Sequence, residues 1–197
     1  MSLALDPVSQ DLLFREAHTA RSFTDEPVSD ETIAAVYDLV KLAPTAYNTS
    51  PLRITVLRTE AARERLLPLV SRSNRPRIAA APLTAILSAD LHFHEKLPQL
   101  MPALPTLKDD LYGDAEVREG QALLNTGLQM GYFLVGVRAA GLAVGPMSGF
   151  DAEAVDKEFF GDGRQRSLVL ANIGHPAPDA YSPRAPRLAA DEAITTL

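Results

Sequence analysis

The chain has 197 residues and a formal net charge of −6, with 46% hydrophobic and 22% charged residues, the balance of a folded soluble domain and not of a disordered tail. That acidic charge argues against a generic nucleic-acid binder, because phosphate contacts need a basic surface. Cysteine is absent, which excludes disulfides, thiolate metal sites and a cysteine nucleophile.

The N-terminal stretch MSLALDPVSQDLLF lacks a basic region followed by an apolar core, so no secretory signal is expected and the cytoplasm is the expected location. Ser9 is the expected cap of a first helix running to about Thr19, with Leu12, Leu13 and Ala17 facing inward. Ser29 caps a clearer one, with Asp30 and Glu31 in its first turn and Ile33, Val36, Tyr37, Val40 and Ala43 at helical spacing. Pro44 ends it, and APTAYNTSPL reads as a loop of turn formers. RITVLR alternates as a strand does, TEAARERLLPLV reads as a helix opened by Thr59, and SRSNRPR as a polar loop. PLTAILSA predicts a central strand, and prolines break residues 91 to 112 into helical fragments.

Residues 116 to 140 predict a long buried helix, too interrupted by Asn125, Gln129 and Arg138 to span a membrane. Its four glycines suggest close packing against a helix or a ligand. GPMSGFD reads as a bare, sharply turned segment that something approaches closely. SLVLANIG predicts a last strand, followed by an arm over residues 176 to 197. Without regular βαβ alternation or an internal linker, the expected fold is a single α+β domain over 1–197. Such an arm suits a dimer better than a monomer.

Candidate chemistry is sparse. His92 and His94 in HFHE would share a face only on a strand, and no third or fourth ligand is apparent, so a solvated patch is the plainer reading and no metal is expected. GDGRQRS does not fit a dinucleotide fingerprint and leads into a strand, which makes it a turn. More informative is a scatter of arginines at loop–helix junctions: Arg21 in HTARSF, Arg75 and Arg77 in SNRPR, Arg184 and Arg187 in PRAPR. A guanidinium fork suits phosphate, and together with GPMSG the set suggests a phosphate-bearing ligand.

The order of VxxAPTxxNxxPxRxxVL, SNxxR, AAGLAVGPMSGFD, NIGHP and a PRxPRL tail resembles the FMN-dependent nitroreductase family over nearly the whole chain. GPMSGFD and APRL look most like its malonic semialdehyde reductase subgroup, from pyrimidine breakdown. The resemblance implies an α+β homodimer: a central mixed, mainly antiparallel sheet flanked by helices, with the C-terminal arm exchanged between subunits. It implies FMN as cofactor and NADH or NADPH as hydride donor in a ping-pong reaction, with 3-oxopropanoate as acceptor. A broad nitroaromatic or quinone reductase stays open as an alternative, as does a flavin-binding relative without NAD(P)H turnover.

Carried over residue by residue, the resemblance implies a phosphate site at His18, Thr19 and Arg21, with Arg187 and Arg184 from the arm. His18 and Thr19 stand where the family pattern has arginine and serine. Asn74 and Arg77 match a pair at the ribityl chain and the pyrimidine edge of the flavin. Pro44, Thr45, Ala46 and Asn48 match a loop laid against the cofactor by the second subunit, and Asn125 a polar neighbour of it. Pro146, Met147, Ser148 and Gly149 match the segment under one flavin face, Ser148 replacing a common glutamate. No side chain is assigned as an acid or base. Arg53 and Arg75 are the nominated partners of a substrate carboxylate.

Overall fold

A computed structural model describes residues 3–197. Pro7–Gln10 forms α1, which continues as a wider π-helical turn over Asp11–Arg15. The cap is Asp6, whose carboxylate accepts from the Ser9 amide at 3.0 Å and the Ser9 hydroxyl at 2.6 Å. The helix therefore begins two residues before the expected Ser9 cap and ends well short of Thr19. An Asp followed by Pro at the first helical position is itself a start signal. Leu12 is 48% exposed, so that face is not turned into this chain's core.

The helix α2 (Asp30–Val40) opens as expected, with Ser29 Oγ accepting from Thr32 N at 3.1 Å. Ile33, Val36 and Val40 are buried, whereas Tyr37 is exposed. β1 (Leu52–Leu57) and α3 (Glu60–Leu66) follow. The polar stretch expected as a loop instead starts α4 (Arg75–Ala80), with Pro76 in its first turn, where a missing N–H costs nothing. β2 (Leu83–Asp90) comes next, and then the short helices α5 (Leu97–Leu100) and α6 (Leu107–Asp110). The long α7 (Ala115–Ala139) leads to β3 (Ala143–Met147), α8 (Ala152–Phe159), β4 (Gln165–Gly174) and, beyond an extended segment, α9 (Ala190–Ala193).

The strands form one sheet in the order β1-β2-β4-β3, every pair antiparallel. The parallel component of the expected mixed sheet is not present among the described residues. β2 is buried along its whole length because helices cover both sheet faces. Leu83, Ala85 and Leu87 pack with Val36 and Val40 of α2 and Phe133 and Val137 of α7. Ile86 packs from the other face with Leu66, Ile78 and Val155, on α3, α4 and α8. A charge pin closes the end of β2, where the buried Asp90 carboxylate meets Arg53 at 2.5 Å and Arg164 at 3.2 Å.

α7 departs from the sequence reading on its outer face. Leu124, Leu128 and Tyr132 are exposed, and a Cβ added at Gly120, Gly127 or Gly131 would meet nothing within 4 Å. Only Gly136 is packed closely, against Val36 and Val40. Among the described residues no helix is long and apolar enough to cross a membrane.

Candidate functional site

The segment 18–24 is extended and held from both sides. The Ala20 amide donates to the Val144 carbonyl of β3 at 3.0 Å, and the Arg21 amide to the Ala180 carbonyl at 2.9 Å. The Thr24 amide adds a bond to the His175 carbonyl at 2.9 Å, so the start of the arm, the segment and the edge strand form one layer. This places His18, Thr19 and Arg21 at a cavity of about 510 Å³ shared with Arg77, Arg184 and Arg187. The phosphate-site residues expected from sequence are thus brought together, and Arg77 joins them.

The same cavity is lined by Arg138, from the last turn of α7. Sequence reasoning missed it, because a cation in the final turn of a helix already has a role opposite the negative end of the helix dipole. No Asp or Glu lines this cavity. The arginines that do pair with carboxylates, among the described residues, are Arg15, Arg53, Arg58, Arg65, Arg164 and Arg166. In a chain of net charge −6, guanidinium groups left together without a counter-charge make a strongly positive pocket.

The lining groups differ in how far they are committed. Arg184 Nη2 donates to the carbonyls of Arg15 at 2.6 Å and Ala17 at 2.9 Å, finishing the π-helical turn and tying the arm to it. Arg187 reaches only its own neighbours, the carbonyls of Ala185 and Pro186. His18 Nδ1 lies 3.2 Å from the Ser182 carbonyl; a carbonyl only accepts, so that nitrogen carries the proton and Nε2 is left for another partner.

GPMSGFD is an edge strand followed by a tied loop, and not the sharp turn read from its glycines. Gly145, Pro146 and Met147 belong to β3 and pair with Asn172, Ala171 and Leu170. The bareness has causes within the chain: a Cβ at Gly145 would overlap the Ala20 carbonyl oxygen, and one at Gly149 would lie 3.0 Å from both Asn74 Nδ2 and Ser71 Oγ. Asn74, nearly buried, donates to the Gly149 carbonyl at 3.2 Å, beside the Ser71 amide at 2.9 Å. The Ser148 segment is therefore tied to the start of α4. Asn74→Ala is expected to cost about 1 kcal/mol of stability, and to speed hydrogen exchange at the Ser71 amide without unfolding the sheet. Unchanged exchange at Ser71 would show that the side chain does not hold the loop.

The remaining nominated residues lie elsewhere. Asn125 is buried and accepts from the Ala46 amide at 2.7 Å, so it braces the loop at Pro44, Thr45, Ala46 and Asn48. Asn48 is further held by its bond to the Leu100 carbonyl at 2.9 Å. Neither that loop nor Asn125 lines the arginine cavity. Arg53 is committed to Asp90 and to the carbonyls of Ser50 and Leu52, while Arg75 donates to the Val70 carbonyl at 3.3 Å. Neither lines the arginine cavity, and the structure does not assemble them into a carboxylate site. His92 and His94 sit at a 3-10 turn with ring centroids 6.1 Å apart, and no group of three or more metal-binding side chains occurs among the described residues. The GDG of GDGRQRS is a turn with Gly163 at φ 69°, and Gln165, Arg166 and Ser167 already belong to β4.

Fold and site together define an α+β chain with a cationic cavity built between a sheet edge, a long helix and a C-terminal arm. The nitroreductase family profile matches residues 14–175. A Streptomyces coelicolor protein, provisionally named NADH dehydrogenase/NAD(P)H nitroreductase, is 60% identical over the full length of both chains. A Leptothrix cholodnii protein of the same provisional name is 43% identical, again over the whole of both. Among solved structures, a provisionally assigned nitroreductase from Exiguobacterium sibiricum, in complex with FMN, superposes with TM-score 0.84 at 20% identity, covering 100% of this chain and 99% of the other. The chain belongs to the nitroreductase family.

Proposed function

We propose that this chain is an FMN-dependent NAD(P)H oxidoreductase working by ping-pong hydride transfer. The observation that carries the proposal is the cluster of guanidinium groups that have no carboxylate partners among the described residues, which fits the phosphate of FMN in charge and in donor type. The names of the Streptomyces and Leptothrix relatives, and the FMN held by the Exiguobacterium protein, support the same reading.

Bound FMN would supply the hydride chemistry, between NADH or NADPH and an oxidant. The chain's own part is to bind and orient. Thr19, Arg21, Arg187 and His18 take the phosphate, with Arg184 fixing the arm that brings Arg187 in. Asn74 and Arg77 hold the ribityl chain and the pyrimidine edge, where a fixed cation stabilises negative charge. Pro146, Met147, Ser148 and Gly149 line one face of the ring system, the last three offering backbone N–H groups from a segment that Asn74 keeps in place. The loop at Pro44, Thr45, Ala46 and Asn48, braced by Asn125 away from this cavity, closes the site of a second copy of the chain. A homodimer also accounts for the exposed Phe14, Leu124, Leu128 and Tyr132 and for an arm over residues 176–197. Dependence on a pyridine nucleotide is in keeping with a cytoplasmic enzyme.

The finer reading, with 3-oxopropanoate as acceptor, rests on the GPMSGFD and APRL resemblance; of the two arginines nominated for its carboxylate, Arg53 is paired with Asp90, while Arg75 meets only backbone carbonyls. Nitroaromatic reduction is favoured instead by the relatives' names. Purified protein should show flavin absorption that bleaches anaerobically on adding NADH or NADPH, followed by reoxidation by one of the two acceptors. Absence of flavin absorption after incubation with FMN would overturn the proposal. A negligible rate with 3-oxopropanoate beside a substantial one with a nitrofuran would remove the finer reading alone.

A further inference from the structure

Three guanidinium groups at the cationic cavity, Arg21, Arg77 and Arg138, have neither a carboxylate partner nor a hydrogen-bond acceptor among the described residues, whereas Arg184 and Arg187 are engaged with backbone carbonyls. Arg138 differs from the other two in its setting. It projects from the last turn of the 25-residue α7, whose Phe133, Gly136 and Val137 are buried against α2 and the sheet. Its backbone is therefore fixed by the core, while Arg21 sits on an extended segment and Arg77 on a six-residue helix.

The setting is unfavourable for a cation left alone. Burial lowers the Arg138 pKa from its ordinary value, nearby Tyr181 opposes that shift, and the Arg184 cation adds to it. An arginine does not respond by giving up its proton. An anion entering the cavity would offset that desolvation. His18 lines the same cavity and is held through Nδ1 on the Ser182 carbonyl.

We infer that Arg138 is an anion-binding residue of this cavity, donating from the rigid end of α7 to a phosphate oxygen of the ligand. This rests on the flavin reading for the identity of the ligand, but not for the presence of the anion site. Its signature is selectivity for the phosphate, so the experiment compares FMN with riboflavin, which has the same ring system and no phosphate.

Protein stripped of flavin is titrated with each by fluorescence quenching. In Arg138→Met, which keeps an unbranched apolar stem, the FMN dissociation constant should rise about 10- to 100-fold. The riboflavin constant should stay within about twofold, and Arg138→Lys should recover part of the loss. Unchanged FMN affinity in Arg138→Met would overturn the inference. So would an equal loss for FMN and riboflavin, which marks a role in packing. If unaltered protein binds neither flavin, the flavin reading fails, and the anion site is then read with inorganic phosphate by thermal shift. A shift present in the unaltered protein and lost in Arg138→Met upholds the site; a shift the variant retains, or none in either, removes it.

Discussion

Arg77→Ala is expected to weaken binding of FMN and of riboflavin alike, by about 10- to 100-fold, since a hydrogen bond to a charged group is worth about 1.5–3 kcal/mol. Among the described residues the Arg77 side chain has no protein partner, but its backbone is pinned from behind. The Asn172 side chain donates to the Arg77 carbonyl at 3.0 Å, and Asn172 Oδ1 in turn accepts from Thr84 Oγ1 at 2.8 Å, in the sheet. Both are buried. This chain of bonds fixes where the α4 cation points, so its loss is not made good by a shift of the helix. If Arg77 serves the pyrimidine edge, reduction by NAD(P)H slows as well, since negative charge there loses its fixed partner. Titration with both flavins, combined with anaerobic stopped-flow reduction, checks the prediction. Retained affinity for both with an unaltered reduction rate would place Arg77 outside the cofactor site. The contrast with Arg138→Met, where riboflavin binding should survive, divides the cationic cavity into a phosphate end and a ring end.

The same residues show why only part of this arrangement could be read from the sequence. β2 was legible because a short apolar run containing Thr84 and Ile86 suits a strand covered on both faces, and α2 because Ser29, Asp30 and Glu31 announce its start. Arg21, Arg77 and Arg187 stood out as arginines at element junctions in an acidic chain. Arg138 did not, because helical periodicity gives a last-turn cation a sufficient local reason to exist. The outward face of α7 misled for a related reason. Leu124, Leu128 and Tyr132 have the composition of a core, yet the described residues leave them exposed, and composition does not tell a core from an interface. The glycines of GPMSGFD were the subtlest case. They mark close approach, as expected, but the approaching groups named by the structure are Ala20, Asn74 and Ser71, long-range neighbours that no local pattern encodes.

That close approach underlies the second large effect. In Gly145→Ala the new methyl would overlap the main-chain oxygen of Ala20, an atom that cannot swing aside as the end of a side chain can. β3 cannot yield either, since Gly145 is paired with Asn172 on β4, an interior strand. The segment 18–24 must therefore move, against the bond from the Ala20 amide to Val144 and that from the Arg21 amide to Ala180. Overpacking of this kind costs about 1–3 kcal/mol, equivalent to a fall in Tm of roughly 2–12 °C for a chain of this size. The functional loss should exceed the loss of stability, because the displaced segment carries His18, Thr19 and Arg21 to the cationic cavity. FMN affinity should thus fall at temperatures where the protein is still fully folded. Gly161→Ala supplies the control, on an exposed turn after α8 where an added Cβ comes no nearer than 3.7 Å to the Lys157 carbonyl oxygen; there no loss of stability and no change in FMN binding are expected. Melting curves and FMN titrations on the two variants decide the matter. A Gly145→Ala protein with the Tm and FMN affinity of the original would show that the edge strand and the 18–24 segment do not depend on their close contact, and that the cavity is positioned by the arm instead.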